Sequence, residues 1–286
     1  MPRLDAIERT ALLTAAIRAA ESRRPDRLYD DPYAAAFAGD VGPELLAEVR
    51  SVTFPSGRAR TLPSTPDYNA IRTRFFDEYL TAAVRDPAVE QVVIAPVGMD
   101  ARAFRLPWPR RIRLFEVDRP VVLSVKDDVL GDPPCAVDRR QVGVDLRADD
   151  WTDRLLAAGY DPAAPSVWLL EGLLYYIPEP DVHRILDGVR AMTAPGSLVA
   201  ADVVNGAALR LPTMRGLLDV FAGWGCPWLF GTDEPEALFA AHGVAATAVQ
   251  PGEPAADYGR WPDPVPPREE TEVRRVFFVH GLRTGD

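Results

Sequence analysis

The sequence predicts an α/β protein, a mostly parallel sheet with helices on both faces beneath a helical N-terminal cover. Three observations predict it. From residue 87 onward, short β-branched runs alternate with helix-like segments, as in βαβ units. Runs such as Gln91–Val97 and Ser166–Leu170 are apolar after their first residue, as strands buried on both faces require. The first 86 residues instead carry helical patterns: Leu13, Ala16, Ile17 and Ala20 fall at i, i+3, i+4 and i+7.

Taken in order, a helix is expected over 5–20, then a break at Pro25 and Asp31-Pro32, a helix over 33–50 and a Pro/Ser/Thr-rich loop over 51–67. A helix over 69–84 carries Ile71, Phe75, Phe76, Tyr79 and Leu80. Strands are expected at Gln91–Val97, Arg113–Val117, Val137–Val144, Ser166–Leu170, Ser197–Val204, Val244–Val249 and Val273–Val279. Helices are expected at Val121–Leu130, 151–158, Pro180–Met192 and Pro235–Ala241, with Gly159, Pro195-Gly196 and Gly243 as stops. Residues 1–86 form the cover, 87–286 the core, and 205–232 an insert on the substrate side.

Composition narrows the function. The chain has 286 residues and a formal net charge of −10, with 47% hydrophobic and 26% charged residues, a balance that buries a large core. An acidic chain lacks the basic face that neutralises phosphates, so neither nucleic acid nor an anionic membrane surface is an expected partner. The longest apolar stretch, Val167–Ile177, is interrupted by Glu171, so no transmembrane helix is expected. MPRLDAIERT has no apolar h-region, so no secretory signal is expected. Two cysteines, Cys135 and Cys226, form no CxxC, and no histidine stands at ligand spacing. No metal site is therefore expected, and the expected compartment is the reducing cytoplasm. Nothing in the sequence speaks to oligomeric state.

Ligands of open α/β sheets bind at the carboxyl ends of the strands. Four such points are informative. Gly98 and Asp100, in IAPVGMDARAFRL, follow the first strand, and Gly98 permits close backbone approach; GxGxxG is absent, which argues against a dinucleotide pyrophosphate. Glu116 and Asp118, in RLFEVDRP, are two acids suited to paired ribose hydroxyls, Asp118 nearer the rim. Asp145 and Leu146, in GVDLRADDW, offer an acceptor for an adenine amino group and a surface for its ring; a helix N-cap region is the other reading. Glu171, in WLLEGLLYYIPEPDV, is an acid within an apolar run, either a ligand group or one partner of a buried arginine.

The ordered set IRTRFFDEYL, VGMDARAFRL, FEVDRP, VDLR and EGLLYYIP resembles the leucine carboxyl methyltransferase family. It is most similar to the bacterial branch of S-adenosylmethionine-dependent methyltransferases that includes polyketide O-methyltransferases. RTALLTAAIRAAESRRPDRLYDDPYA and PVPPR…RVFFV extend the resemblance over nearly the whole chain. It implies a Rossmann-like class I methyltransferase fold with S-adenosylmethionine as cofactor. It implies that Asp118 contacts the ribose, Asp145 and Leu146 the adenine, and that Glu171 lies near the methionine end. Arg72 or Arg74 matches the arginine that holds the methionine carboxylate, and Gly98 the last loop glycine. The chain departs from the family where LGAGLDTR becomes APVGMDAR: Pro96, which has no N–H, replaces the first loop glycine.

The expected reaction is methyl transfer to a carboxylate or phenolic oxygen of a small, largely apolar metabolite, such as a polyketide. A carboxylate is already ionised at neutral pH, whereas a phenol gains from a base. His183, His242 and His280 read as surface or satisfied residues; Tyr175 and Tyr176 are the candidate catalytic groups. Trp224 and Trp228 in the insert are candidates for the acceptor pocket. Arg110-Arg111-Arg113, Arg139-Arg140 and Arg274-Arg275 read as solvated or ion-paired surface. Two other functions suit the same residues, a cofactor-holding cyclase or isomerase and a non-catalytic small-molecule binder.

Overall fold

The structure is a computed structural model. It describes the backbone of residues 6–53, 65–131, 133–261 and 264–285, and the side chains of these stretches except 6–8, 53, 65 and 66. Strands β1 (Gln91–Ile94), β2 (Arg113–Asp118), β3 (Asp138–Gly143), β4 (Ser166–Leu170), β5 (Leu198–Val204), β6 (Val244–Val249) and β7 (Val276–Arg283) form one sheet. Their order is β3-β2-β1-β4-β5-β7-β6. The first five are parallel, and β7 runs antiparallel to both β5 and β6.

The central strands β1 and β4 are buried at every position, and their alternate residues enter different cores. Val167 and Leu169 of β4 join Val92, Ile94 and Leu114 on one face; Trp168 and Leu170 join Val93 and Phe115 on the other. Trp168 is fully buried, and its indole N–H has Tyr160 Oη and Ser166 Oγ as acceptors, each at 3.1 Å. The first face is covered by α4 (Thr65–Ala83) through Ile71, Phe76 and Leu80. The second is covered by α7 (Trp151–Ala157), α8 (Glu179–Met192) and α10 (Pro235–Ala241).

A third cluster lies at the carboxyl end of the sheet. There α1 (Ala6–Ser22), α2 (Ala34–Ala38) and α3 (Val41–Thr53) pack with α9 (Arg215–Gly223) over Met99, Ala101 and Val122. The short α5 (Arg102–Arg105) follows β1, and α6 (Pro120–Leu130) follows β2. Proline opens α6, and Gly131, at φ +63°, closes it.

Four elements differ from the sequence reading. The helix expected over 33–50 is broken at Gly39, whose φ of +53° ends α2. Strand β1 stops at Ile94, because Pro96 brings no N–H to a ladder. The expected loop over 51–67 lies mostly outside the described residues; α3 enters it as far as Thr53, and α4 starts at Thr65. Strand β7 is displaced towards the C-terminus, paired with β5 from Val204↔Val276 to Leu198↔Leu282.

Gly188 in α8 tests the packing of the second face. A Cβ there would stand 2.3 Å from Trp151 Cζ2. An alanine in an open helix gains about 1 kcal/mol over glycine. Gly188→Ala is instead expected to lose about 1–3 kcal/mol by overpacking, read as a lower urea midpoint; a higher midpoint would contradict this packing.

Candidate active site

The sheet order reverses between β1 and β4, and a cleft of about 480 Å³ opens there at the carboxyl ends of the strands. It is lined by Gly98 after β1, Asp118 at the end of β2, Asp145 and Leu146 after β3, and Glu171 after β4. Arg72 of α4, Tyr175 and Tyr176 close its inner side.

Gly98 has φ +48°, a conformation that favours glycine, and its N–H donates to Asp118 Oδ2 at 2.7 Å. The Arg119 N–H donates to Asp118 Oδ1 at 2.8 Å. Two backbone donors thus aim this buried carboxylate and leave each oxygen a further lone pair. Burial pushes the Asp118 carboxyl above its ordinary value, against the pull of those two N–H groups. Asp145 accepts from the Arg147 backbone N–H at 2.9 Å and from Arg147 Nη2 at 2.8 Å, and the side-chain bond holds its carboxyl low.

Two proposed residues are elsewhere. Glu116 is buried, with one oxygen 2.8 Å from Lys126 Nζ and the other 2.8 Å from Arg139 Nε. It completes a structural ion pair beneath the cleft and does not line it. Arg74 lies on the outer side of α4, its Nη2 2.6 Å from Glu78 and its Nη1 donating to the Leu28 carbonyl. Only Arg72 enters the cleft.

Behind the cleft lies a connected network of charges. Glu171 Oε1 is 2.9 Å from Arg72 Nε, and its Oε2 accepts from Arg102 Nη1 at 2.7 Å. Arg102 also pairs with Asp100 at 2.5 Å and Asp77 at 2.7 Å. Arg105 Nη1 binds Asp77 at 2.6 Å and its Nε lies 3.9 Å from Asp31, which Arg18 holds at 2.9 Å. Arg72 Nη1 reaches Asp202 at 2.9 Å. Four guanidiniums (Arg18, Arg72, Arg102, Arg105) therefore face five carboxylates (Asp31, Asp77, Asp100, Glu171, Asp202). Burial raises the Glu171 carboxyl, but Arg102 and Arg72 outweigh it and hold it below its usual range. Both readings of Glu171 are met: it lines the cleft and pairs with buried arginines.

The sequence reading missed Asp202, Arg102 and Asp77, and named Asp100 only for its place after the first strand. For Asp202 the signal was present, an acid inside the apolar run Leu198–Val204. It is fully buried and accepts from Gly172 N–H at 2.6 Å and Tyr68 O–H at 2.7 Å.

A second, smaller chamber of about 60 Å³ adjoins the cleft and shares Thr10, Thr14, Arg72, Tyr175 and Tyr176 with it. Leu13 and Ile17 of α1, Leu217 and Phe221 of α9, and Trp228 give it an apolar wall. Trp228 lies 4.9 Å from the Tyr175 ring and 5.8 Å from Phe221. Trp224 is not in this wall; its indole N–H donates to Glu48 at 3.2 Å. Burial pushes the Tyr175 and Tyr176 phenols above their ordinary value, and Arg72 Nη1 donates to Tyr175 Oη at 3.2 Å. Both candidate catalytic groups stand where the cleft and the chamber meet. Arg274-Arg275 is no surface pair: Arg275 is buried and Arg274 lines the chamber. His183 and His242 bond to each other at 2.9 Å away from the cleft, and His280 packs against Phe75 and Tyr79. No described helix is long and apolar enough to cross a membrane.

The strand order, the antiparallel β7 and the cleft at the switch point define the Rossmann-like fold of class I methyltransferases. The chain belongs to the leucine carboxyl methyltransferase family, whose model matches residues 11–190. A Parafrankia protein named "Putative S-adenosyl-L-methionine-dependent methyltransferase" is 45% identical over 208 residues, 71% of this chain and 64% of that protein. A Mycobacterium ulcerans protein of the same name is 42% identical over 207 residues, 69% of this chain and 63% of that one. The matched region thus spans just under two thirds of these relatives' length. Among solved structures, a DUF574 family protein from Streptomyces avermitilis superposes with TM-score 0.63 at 14% identity, covering 95% of this chain and 97% of that one. A putative methyltransferase from Thermobifida fusca gives 0.61 at 17% identity, covering 96% and 94%. These two support the fold.

The network makes a pH prediction. Burial opposes ionisation of Asp100, yet Arg102 and Arg105 hold its carboxyl at about 2, below the ordinary value of 3.8. A depressed carboxyl stabilises the fold fully above its unfolded value and loses that stabilisation as pH falls through its folded one. Urea unfolding is expected to lose about 2 kcal/mol from this group between about pH 4 and pH 2. Asp100→Asn is expected to show a shallower fall across that window; an unchanged slope would rule the group out as its source.

Proposed function

We propose that the chain is an S-adenosylmethionine-dependent methyltransferase that methylates an oxygen, carboxylate or phenolic, of a small and largely apolar acceptor. The observation that carries the reading is the pairing of two compartments: a cleft rimmed by the backbone-aimed Asp118, and an apolar chamber meeting it at Thr10, Thr14, Arg72, Tyr175 and Tyr176.

The residues present fit the cofactor. Asp118 would accept from the ribose hydroxyls, Asp145 from the adenine amino group, and Leu146 would flank the ring. The charge network holds one carboxylate more than guanidiniums, an environment suited to a ligand with a net positive charge. Glu171 would face its ammonium end, and Arg72, already paired with Glu171 and Asp202, would offer the carboxylate a share of its charge. Pro96 lines the cleft without an N–H, but its neighbours' N–H groups are already used, Val97 to the Val117 carbonyl and Gly98 to Asp118.

When bound, the cofactor supplies an activated methyl group, and the chain orients and shields it; orientation contributes roughly 7–11 kcal/mol to such a step. The boundary residues are alcohols, protonated phenols and a guanidinium, none of them a base at neutral pH. An oxygen that arrives ionised therefore suits the site best. Helices α1–α4 and residues 205–232 would form the cover that excludes water.

Calorimetry with S-adenosylhomocysteine tests the cleft. Asp118→Asn is expected to weaken binding by about 10- to 100-fold, the loss of hydrogen bonds to a charged acceptor. Glu116→Gln is expected to keep the affinity and lower the melting temperature; the reverse pattern would refute the assignment. Methyl-labelled cofactor and a metabolite extract test the transfer. Trp228→Ala is expected to cut label incorporation several-fold at unchanged S-adenosylhomocysteine affinity, and Trp224→Ala to leave incorporation in place. Equal effects would remove the chamber from the acceptor's path.

A further inference from the structure

We propose that Arg274 is the anchor for an anionic group of the acceptor, a carboxylate carried in addition to the oxygen that takes the methyl. The proposal rests on reading the chamber as the acceptor's compartment. Arg274 lines that chamber beside Tyr68 and Asn69. The other arginine of the chamber, Arg72, and the arginines of the charge network behind the cleft, Arg102 and Arg105, each meet at least one carboxylate at 2.9 Å or less. Arg274 meets none among the described residues. Its hydrogen-bond partner is the Met214 thioether, with Nη1 3.4 Å from Sδ, a weak acceptor. Burial draws the guanidinium down to about 10, against an opposing pull from Tyr68. A sheltered cation with no counter-charge is costly, and a ligand carboxylate that fits its planar fork relieves that cost.

The position is built. Asn205 brackets Arg274 on both sides: its Nδ2 donates to the Val273 carbonyl at 3.0 Å, and its Oδ1 accepts from Arg275 N–H at 2.8 Å. Its own N–H donates to the Arg275 carbonyl at 3.1 Å. Three hydrogen bonds thus fix the backbone from which Arg274 projects, ahead of β7. Arg274 is also absent from the residues shared with the cleft. A group gripped there sits on a wall that does not border the methyl donor's compartment, and pairing with a guanidinium lowers its nucleophilicity. The structure therefore assigns the charge to an anchor and the methyl to a second oxygen.

The test uses benzoate and its neutral isostere benzamide, titrated by saturation-transfer NMR into the full chain with S-adenosylhomocysteine. Wild type is expected to bind benzoate at least fivefold tighter, and Arg274→Gln to bind the two equally. No preference in wild type, or the same preference in Arg274→Gln, overturns the proposal. Should the glutamine variant not fold, Arg274→Lys decides: its preference is expected to fall at least twofold, and an unchanged one overturns the fork. With methyl-labelled cofactor, benzoate is expected to remain unmethylated; methyl benzoate formed in wild type and lost in the variant overturns the separate anchor. If S-adenosylhomocysteine does not bind, the methyltransferase reading fails, and the same comparison without it still judges Arg274.

Discussion

The structure depends on matching buried guanidiniums with carboxylates drawn from distant segments. Arg102, 2% exposed, has its acids on α4, on the loop after β1 and at the end of β4. Arg72 bridges Glu171 and Asp202, one after β4 and one within β5. Neither arginine is paired with a carboxylate of its own helix, so both ion-pair sets tie α4 to the loops at the carboxyl end of the sheet. Removing one member of such a set leaves its partners charged and dry, at about 3–5 kcal/mol. Arg18 adds a tie from α1 to the loop after β1 through the Met99 carbonyl, and holds Asp31 of the segment before α2. The same contacts that hold the cover down also build the inner wall of the cleft.

The core was legible because the apolar pattern is redundant. Strands covered on both faces and stopped by glycine or proline leave little choice of period, and Ser166–Leu170, Pro235–Ala241 and Val244–Val249 have the expected bounds. The carboxyl-end acids were legible for a topological reason: parallel strands deliver their C-termini to one rim. Side-chain depth was harder. Glu116 and Asp118 share a face of β2 by parity, but Glu116 sits one pleat deeper, where the chain's one lysine, Lys126, takes it. That pairing crosses from strand to helix, and no local pattern announces it.

Arg72 and Arg74 separate on geometry that the sequence does contain. Residues two apart lie on nearly opposite sides of a helix, whereas Arg72 and Phe76 are i and i+4 and share one. Phe76 is fully buried, so Arg72 follows it inward and Arg74 meets Glu78 outside. Arg274-Arg275 yields to the same kind of reasoning. Adjacent residues of an extended segment point to opposite sides, and where a strand is covered on both faces neither side is open surface: Arg275 is buried and Arg274 meets the chamber. Charge alone suggested surface; the strand's own period contradicted it.

The two compartments consequently differ in sign. The cleft is backed by a network with one carboxylate in excess, while the chamber holds Arg274 without an acidic partner among the described residues. Both charges are largely shielded from water, so salt screens them less than it screens the surface. Arg72, Tyr175 and Tyr176 stand between them, and Arg72 is pinned by two acids rather than left free to swing towards either side. A boundary whose groups are fixed before any ligand arrives keeps the two environments apart. A cation is therefore favoured on one side and an anion on the other, at neighbouring sites that no single ligand charge would satisfy.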